Sequence, residues 1–408
     1  MKRLVIAVAA LTLAVACSSS ADESATTVTT APVGPRDLVI AVGGPFSGDD
    51  RATGDQIKAG AKLAAAQVNA AGGIAGGPLQ GSKIVIDDGF DDANVPQQAV
   101  DNMRRAVDNE KYIAFVGSGL SDASVAAAPV ASQAGLSYLT VLTSSPKILD
   151  AATAQKSVFV VPPTFLAYSF SVADELLQQG YRKPAILHAT GTYGDGIADY
   201  FVQRLKEKGV EPVANETFTL GDADFTTQLG RIKAQGPDSL VMVGLAKDDA
   251  LIVRQTEQLG LNVAVFDPGG ITSADSFLKD AGPMATGVVG NTPTDSLRNT
   301  PAAVALRTAY TAATNESVVP GPAVFAYEGV LAVAAGFADG ATTRLELSDH
   351  IHAISIPDSG VGRLEFGADG SRLGGRLYIF QIVGGTPVLT TGYEQTGPMA
   401  VEKIKLER

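Results

Sequence analysis

The chain has 408 residues, of which 45% are hydrophobic and 18% are charged, a composition typical of a globular protein with two core-forming domains. Its formal net charge of -12, without any run of Lys or Arg, argues against a nucleic-acid partner. The single cysteine, Cys17, excludes an intramolecular disulfide and a zinc site built on thiolates.

The N-terminus has the pattern of a bacterial secretion signal. Lys2 and Arg3 precede an apolar stretch, Leu4–Val15, which is too short to span a membrane as a mature helix. The residues that lead to Cys17 resemble the lipobox of bacterial lipoproteins, with Ala14 in the place of the usual leucine. In that family the cysteine becomes the lipidated first residue after cleavage.

We therefore predict a lipoprotein signal peptide at 1–16 and an extracytoplasmic protein anchored to the cell membrane by lipidated Cys17. The alternative is ordinary signal-peptidase cleavage beside an incidental cysteine. Residues 17–36 are rich in Ser, Thr, Ala and Pro and have too few large apolar side chains to fold, so they are predicted to form a flexible tether.

Strands and helices alternate from Asp37 onward, which indicates a parallel, doubly wound sheet. The helix over Gly54–Ala71 carries small apolar residues at helical spacing. Asn94 is predicted to cap the second helix, with Pro96 in its first turn. The predicted strands of this half are Asp37–Val42, Ile84–Asp87, Tyr112–Val116 and Leu136–Leu142.

Hydroxyl side chains follow two of these strands. Ser121 or Asp122 is predicted to cap the helix after the strand that ends at Val116, and a helix N-terminus attracts anions. Ser144 lies in a second hydroxyl-rich turn, Thr143–Ser145. Because ligands of parallel sheets bind at the carboxyl ends of strands, the two turns point to one small-molecule site. The alternative is a pair of helix caps that bind nothing.

The alternation restarts after Pro162–Pro163, which predicts a second α/β lobe and a crossing near Val160–Thr164. From Gly287 a strand and a further crossing are expected, and two long helices then return to the first lobe. The elements predicted here are helices Phe165–Gln179, Ile197–Lys208, Phe225–Gln235, Ala250–Leu259, Pro301–Ala313 and Pro322–Ala338, and strands Ala185–Ala189, Pro212–Phe218, Ser239–Val243, Val263–Phe266, Arg376–Val383 and Pro387–Leu389.

The fold class is therefore α/β, with two doubly wound, Rossmann-like lobes. We predict that lobe 1 comprises residues 37–162 and 293–373. Lobe 2 is predicted to comprise residues 163–292 and 374–408.

One segment approximates the nucleophile elbow of serine hydrolases, Gly119–Ala123, with Ser121 as the nucleophile. Only three histidines exist to complete a triad, and none is placed well for it: His188, His350 and His352. Pairs of aspartates in turns are expected to be solvated rather than to bind calcium. We predict no enzyme activity, no cofactor and no metal site.

Three segments together resemble the opening of the branched-chain amino acid-binding proteins of ABC importers: Val42–Gly48, Gly54–Gln56 and Val68–Ile74. The resemblance extends over Asp37–Gly392. It implies a periplasmic binding protein type I fold, with two lobes that are joined by three crossings and close on a ligand like a Venus flytrap.

The resemblance also implies ligand-binding positions. Ser121 and Ser144 would bind the ligand's carboxylate together with backbone N–H groups. Leu142 would direct its carbonyl to the ligand's ammonium group, and Tyr193 would cover the ligand. Two other binding positions of the family fall on Thr53 and Leu245.

The sequence departs from the family where an acidic residue pairs with the ammonium group, because Gly269 stands there. An unpaired buried ammonium costs several kcal/mol. Either Asp267 or Asp122 replaces that acid, or the ligand is an amide or a small carboxylate without an ammonium group.

The expected function is therefore that of a lipid-anchored solute-binding protein, which binds an amino acid or related small carboxylate and delivers it to the membrane subunits of an ABC permease. The alternatives are a sensory ligand-binding lipoprotein and a secreted serine hydrolase that uses Ser121.

Overall fold

The computed structural model describes residues 34–48, 50–295, 298–316, 318–397 and 400–406. The predicted signal peptide and the lipidation site at Cys17 lie outside the described residues. The chain from Asp37 onward forms two α/β lobes, each built on its own sheet. The predicted fold class is confirmed.

Lobe 1 is built on a parallel sheet with the strand order β2-β1-β3-β4-β5. Apart from the edge strand β2, its strands are largely buried, as expected for a sheet covered by helices on both faces. The strands are β1 (Asp37–Gly44), β2 (Lys83–Asp91), β3 (Tyr112–Val116), β4 (Ser137–Thr140) and β5 (Val158–Val160), and the connecting helices are α1 (Arg51–Ala70), α2 (Pro96–Val107), α3 (Ser121–Ala134) and α4 (Lys147–Ala151).

Lobe 2 is built on a mixed sheet with the strand order β15-β14-β13-β10-β9-β8-β6-β7. Four parallel pairings are followed by an antiparallel extension from the C-terminal strands. Its strands are β6 (Pro184–Ala189), β7 (Ala214–Phe218), β8 (Ser239–Val243), β9 (Ala264–Asp267), β10 (Val289–Thr292), β13 (Arg376–Val383), β14 (Thr386–Gly397) and β15 (Ala400–Ile404), and its helices are α5 (Phe165–Gln178), α6 (Thr192–Glu207), α7 (Thr226–Ala234), α8 (Ala246–Gln258) and α9 (Asp275–Ala281).

The chain returns to lobe 1 through three helices and a small hairpin: α10 (Pro301–Thr314), α11 (Gly321–Asp339), α12 (Leu347–Ala353), β11 (Glu365–Phe366) and β12 (Arg372–Leu373). Among the described helices, α11 alone has the length and apolarity to cross a membrane, and 67% of its most apolar window is buried. It packs against α1, whose Ala61 and Ala64 are fully buried. We therefore interpret α11 as the core helix of lobe 1.

Two helix starts differ from the sequence predictions. Asn94 does not cap α2, because its backbone is left-handed and Val95 takes the cap position. The helix predicted to begin at Ile197 already begins at Thr192, within a glycine-rich segment. Tertiary contacts there outweigh the low helix propensity of glycine, and Asp195 in the first turn favours the helix dipole.

A buried ion pair ties the crossings between the lobes to α11. The Arg372 guanidinium binds the Glu328 carboxylate through two hydrogen bonds of 2.6 and 2.8 Å, and the side chains are 3% and 0% exposed. Arg372 also donates to the carbonyl of Val161 at 2.8 Å, in the first crossing. Ser359 donates to the same carboxylate. Segments far apart in the chain thus meet on one buried charge pair.

The Thr164 backbone N–H and hydroxyl both bond the side-chain carbonyl of Gln395, at 3.3 and 3.1 Å. The start of lobe 2 is therefore fixed to its last long strand, β14, beside the crossings. These polar contacts join the crossings to both lobes.

We predict that Arg372→Met lowers the free energy of unfolding by about 3–5 kcal/mol, since it leaves the Glu328 carboxylate buried without its partner. Adding Glu328→Gln to that variant should recover most of the loss. Arg231→Met provides the control, because the side chains of its ion pair with Glu216 are 53% and 22% exposed and solvent-accessible pairs contribute about 0–1 kcal/mol. Urea unfolding of the four proteins measures the difference, and equal losses for Arg372→Met and Arg231→Met would contradict the prediction.

Candidate functional site

The candidate site lies where loops from the two sheets diverge. In lobe 1 the order of the strands reverses between β1 and β3, and in lobe 2 it reverses between β6 and β8. At such switch points the following loops part and leave a crevice at the carboxyl ends of the strands. The sequence-predicted residues Ser121, Tyr193 and Leu245 all follow one of these strands.

The turn between β3 and α3 is held by a buried carboxylate. Asp92, 1% exposed, accepts hydrogen bonds from the Ser118 hydroxyl at 2.5 Å and the Gly119 N–H at 2.6 Å. The Asn94 side chain accepts a bond from the Leu120 N–H at 2.9 Å. Burial raises the pKa of Asp92, and these donors oppose that effect. The turn is therefore fixed before any ligand binds.

Gly117 allows β1 and β3 to approach each other at this turn. Its φ of +139° is unfavourable for other residues. A Cβ atom on Gly117 would lie 2.1 Å from the carbonyl oxygen of Gly43. Any side chain at this position would push the turn out of place.

Ser121 and Asp122 are the first two residues of α3, and neither caps it, which corrects the sequence prediction. Leu120 occupies the cap position and no side chain caps the helix. A side-chain cap is not needed here. The N–H groups of Gly119 and Leu120, just before the helix, donate to the side chains of Asp92 and Asn94. The N–H groups of the first turn have no intrahelical acceptors, so they are directed to the crevice.

The two hydroxyl-rich turns of lobe 1 meet. The Thr143 hydroxyl donates to the Ser121 hydroxyl oxygen at 3.1 Å, and both residues are buried. The hydroxyl of the neighbouring Ser144, 4% exposed, has no hydrogen-bond partner among the described residues. Leu142, one residue before Thr143, is partly buried. The sequence predicts that these two turns meet. The contact between them is made by Thr143, the residue before Ser144.

Lobe 2 presents Tyr193 in the first turn of α6. Its hydroxyl lies 3.4 Å from the carbonyl oxygens of Gly244 and Gly269. A Cβ atom on Gly269 would lie 2.1 Å from that hydroxyl, so Tyr193 fills the space that an acidic side chain at 269 would need. Burial, together with the negative charges of Asp267 and Asp249, raises the pKa of Tyr193 well above its ordinary value. Tyr193 is therefore a neutral phenol.

Asp267 is buried and committed to its own loop. Its carboxylate accepts hydrogen bonds from the N–H groups of Gly269, Ile271 and Thr272 and from the Thr272 hydroxyl, at 2.5 to 2.9 Å. Burial raises its pKa while these four donors oppose the effect. The Asp267 carboxylate holds the loop after β9 and has little remaining capacity for a ligand.

Asp249 is the least satisfied polar group of lobe 2. It is fully buried, and neither carboxylate oxygen accepts a hydrogen bond of good geometry. Burial, with smaller contributions from Asp267 and Asp248, raises its pKa well above the ordinary value, which only the nearby Gly244 N–H opposes. Asp249 is thus a buried carboxyl group close to Tyr193.

The two lobes touch at the mouth of the crevice. Asp122, exposed on α3, accepts a hydrogen bond from the Thr192 N–H of α6 at 3.3 Å. Thr53, in the first turn of α1, and Leu245, which precedes α8, are both partly buried at the carboxyl edges of their sheets. The sequence-predicted positions therefore lie at the carboxyl ends of strands, in the loops that follow them or in the first turn of the next helix.

A cavity of about 180 Å³ adjoins Ser144 on the side of the crossings. Its walls come from both lobes and from the first and third crossings: Ser144, Ser145, Pro146, Leu149, Val160, Thr164, Phe165, Leu166, Tyr200, Asp369 and Ser371. The sequence alone gave no sign of this cavity, because its walls are far apart in the chain.

The three histidines have contacts that do not include Ser121. His188 bonds the carbonyl of Ala189, His350 pairs with Asp339, and His352 contacts two backbone carbonyls. No group of three or more acidic, histidine or cysteine side chains is placed to hold a metal ion within the described residues. The hydroxyl of Ser121 therefore has a neighbouring threonine rather than a base.

Sequence reasoning missed Asp92, Asn94, Thr143 and Asp249. Asp92 and Asp249 belong to aspartate pairs that were expected to be solvated, and that expectation is wrong for both, because each is buried. An aspartate just after a strand, followed by Asn at the second position, is the signal that points to the role of Asp92. Nothing in the sequence marks Asp249.

Comparisons with known proteins identify the family and the fold. The profile of the family described as periplasmic binding protein matches residues 37–386. An amino acid binding protein of Pseudomonas aeruginosa PAO1 is 30% identical over 260 residues, which cover 61% of this chain and 64% of that protein. The Leu/Ile/Val/Thr-binding protein of Salmonella typhimurium is 30% identical over 261 residues, which cover 63% of this chain and 68% of that protein.

A solved structure shows the same fold. The branched-chain amino acid transporter substrate binding protein LivJ from Streptococcus pneumoniae, in complex with isoleucine, superimposes with a TM-score of 0.76 at 24% identity. The superposition covers 91% of this chain and 100% of that one. The sequence matches span about two thirds of the length of the bacterial relatives.

We predict that Asp249→Asn raises the melting temperature, and does so more at pH 8 than at pH 5. Because the folded-state pKa of Asp249 is raised, the folded protein keeps a proton that the unfolded chain releases, and stability falls as the pH rises from the unfolded-state pKa toward the folded-state pKa. Asparagine has no proton to release in this pH range, so the variant does not lose stability in this way as the pH rises. Thermal unfolding at both pH values tests this, with Asp280→Asn at an exposed position of α9 as the control. An equal shift at both pH values would refute the prediction.

Proposed function

Because this chain belongs to the periplasmic binding protein family, we propose that it binds an amino acid, an amide or a related small carboxylate between its lobes and delivers it to an ABC permease. The observation that carries the proposal is the joined hydroxyl cluster of Ser121, Thr143 and Ser144 beside the N-terminus of α3. Such a group of donors suits a carboxylate, since hydrogen bonds to a charged oxygen are strong.

The cycle we propose involves binding and closure without bond chemistry. Lobe 1, at 37–162 and 293–373, supplies the carboxylate site, and lobe 2, at 163–292 and 374–408, supplies Tyr193 and Leu245 as a cover. The contact between Asp122 and Thr192 then forms part of the closed mouth. Closure hides the solute from water and creates a joint surface of both lobes that a permease recognises.

Asp267 and Asp122 are the two candidates for an ammonium partner, and their hydrogen bonds favour Asp122. Asp267 is occupied by four donors of its own loop. One carboxylate oxygen of Asp122 accepts the Thr192 N–H, and the other has no partner among the described residues. We therefore propose Asp122 as the partner if the solute carries an ammonium group, with the Leu142 carbonyl beside it.

Ser121→Ala should weaken binding by about 10- to 150-fold, which corresponds to about 1.5–3 kcal/mol for one hydrogen bond to a charged group. Thermal shift over amino acids, amides and small carboxylates identifies the solute, because binding to the folded state raises the melting temperature, and calorimetry gives the affinities. Ser132→Ala is the control on the same helix, since its hydroxyl bonds Gln155 away from the crevice.

The same affinity measurements test the ammonium partner and the carboxylate site separately. Asp122→Asn should weaken the binding of leucine and leave 4-methylpentanoate, its counterpart without the ammonium group, almost unaffected. Unchanged affinity in Ser121→Ala would refute the carboxylate site.

We also propose that the protein is anchored outside the cytoplasm by a lipid on Cys17. The support is the order of basic residues, apolar stretch, lipobox and tether at the N-terminus. Cys17→Ser should leave the melting temperature unchanged and move the protein from the membrane fraction to the soluble fraction. If the variant stays with the membrane after a salt wash, another contact holds it there.

A further inference from the structure

The Asn94 side chain joins the starts of two helices in lobe 1. Its carbonyl oxygen accepts the Leu120 N–H at 2.9 Å, directly before α3, and its NH2 group donates to the carboxylate of Asp50, directly before α1. One amide can make both bonds because it carries a donor and an acceptor. The loops that follow β1, β2 and β3 therefore meet on this side chain.

Asp50 makes this contact instead of capping its own helix. It occupies the cap position of α1, where an aspartate side chain usually accepts an N–H of the first turn, but it makes no such hydrogen bond. Helix α3 also begins without a side-chain cap of its own. We call Asp50, Asn94 and the Leu120 N–H the amide brace, since it connects the starts of both helices.

The backbone that places the Asn94 side chain is unusual. Ala93 and Asn94 are both left-handed, with φ of 46° and 59°, a conformation that asparagine tolerates and alanine disfavours. The Asp91 carboxylate accepts the Ala93 N–H, and the Asp92 carboxylate accepts the Asn94 N–H, each at 3.0 Å. Two aspartates thus hold an unfavourable backbone at the point from which Asn94 reaches both partners.

The brace packs closely against the residues that lead into α3. A Cβ atom on Gly119 would lie 2.3 Å from the Asn94 side-chain oxygen and 2.6 Å from a carboxylate oxygen of Asp92. The following residues, Ser121 and Asp122, form the first turn of α3, whose N–H groups have no intrahelical acceptors. Contacts just before the helix therefore set the position of these N–H groups.

We propose that Asp50 and Asn94 are positioning residues of the carboxylate site, which hold the N-terminus of α3 in the orientation that binds the anion. They act through the backbone of α3 and not by contact with the solute. This inference rests on the proposed function, since it needs an anion at the first turn of α3. It adds that the affinity for the solute depends on the loops after β1 and β2.

Asn94→Gly removes the amide and keeps the left-handed backbone, which glycine adopts freely. It should weaken the binding of 4-methylpentanoate and of leucine by about 5- to 25-fold in calorimetry, because the brace has two hydrogen bonds and each contributes about a factor of five. Ala93→Gly is the matched control, since it places a glycine in the same turn and leaves both bonds intact. It should change neither affinity, and thermal unfolding shows whether each variant folds.

Two variants of Asp50 separate positioning from a general loss of structure. Asp50→Ala removes the acceptor of the Asn94 NH2 group and should weaken both solutes about fivefold. Asp50→Asn keeps an oxygen that accepts this bond and should recover the affinity that Asp50→Ala loses. In the Asn94→Gly background, Asp50→Ala should have no further effect on either affinity, since the two residues act through one contact.

The outcomes separate this inference from the proposed function. If Ser121→Ala weakens binding while Asn94→Gly lowers only the melting temperature, the brace stabilises the fold without serving the site, and only this inference fails. It also fails alone if Asp50→Asn and Asp50→Ala weaken binding equally. If Ser121→Ala leaves both affinities unchanged, or if neither solute binds the parent protein, the carboxylate site fails and this inference fails with it.

Discussion

The arrangement of the two lobes depends on one buried charge pair, Glu328 with Arg372. Removing two charges from water is costly, so a buried pair persists only where its geometry and its remaining hydrogen bonds are good. Here the guanidinium also serves the carbonyls of Val161 and Arg363, and the carboxylate also accepts from Ser359. These partners belong to segments far apart in the chain. The pair therefore joins the first crossing to α11 and to the C-terminal part of lobe 1.

The crevice divides its chemistry between the lobes. Lobe 1 supplies donors: hydroxyls, and a helix N-terminus whose preceding turn is held by Asp92. Lobe 2 supplies an aromatic side chain and acids that are buried, with Asp267 committed to its loop and the pKa of Asp249 raised by burial. Asp122 is an exposed acid at the contact between the lobes. The proposed division is that lobe 1 binds an anion and lobe 2 encloses it.

The sequence was sufficient for the fold class and for the lobe 1 hydroxyls, because strand–helix alternation and strand ends are local patterns. It was insufficient wherever burial decides the role of a side chain. Asp92 and Asp249 have the same local context as solvated turn aspartates, but the packing around them buries both: Asp92 holds the turn before α3, and burial raises the pKa of Asp249. The start of α6 and residue 269 also depend on each other. Tyr193, in the first turn of α6, occupies the space beside Gly269, so an acidic side chain has no room there. No local pattern reports such a contact between distant residues.

Small-angle X-ray scattering of the purified protein shows whether the two lobes close on a bound solute. Profiles are compared without and with a saturating solute from the thermal-shift screen, for the parent protein and for Ser121→Ala at a concentration too low to saturate it. We expect the solute to reduce the radius of gyration of the parent protein. Ser121→Ala should keep its radius of gyration at a solute concentration that does not saturate it. Superimposable profiles for the parent with and without a saturating solute would contradict it.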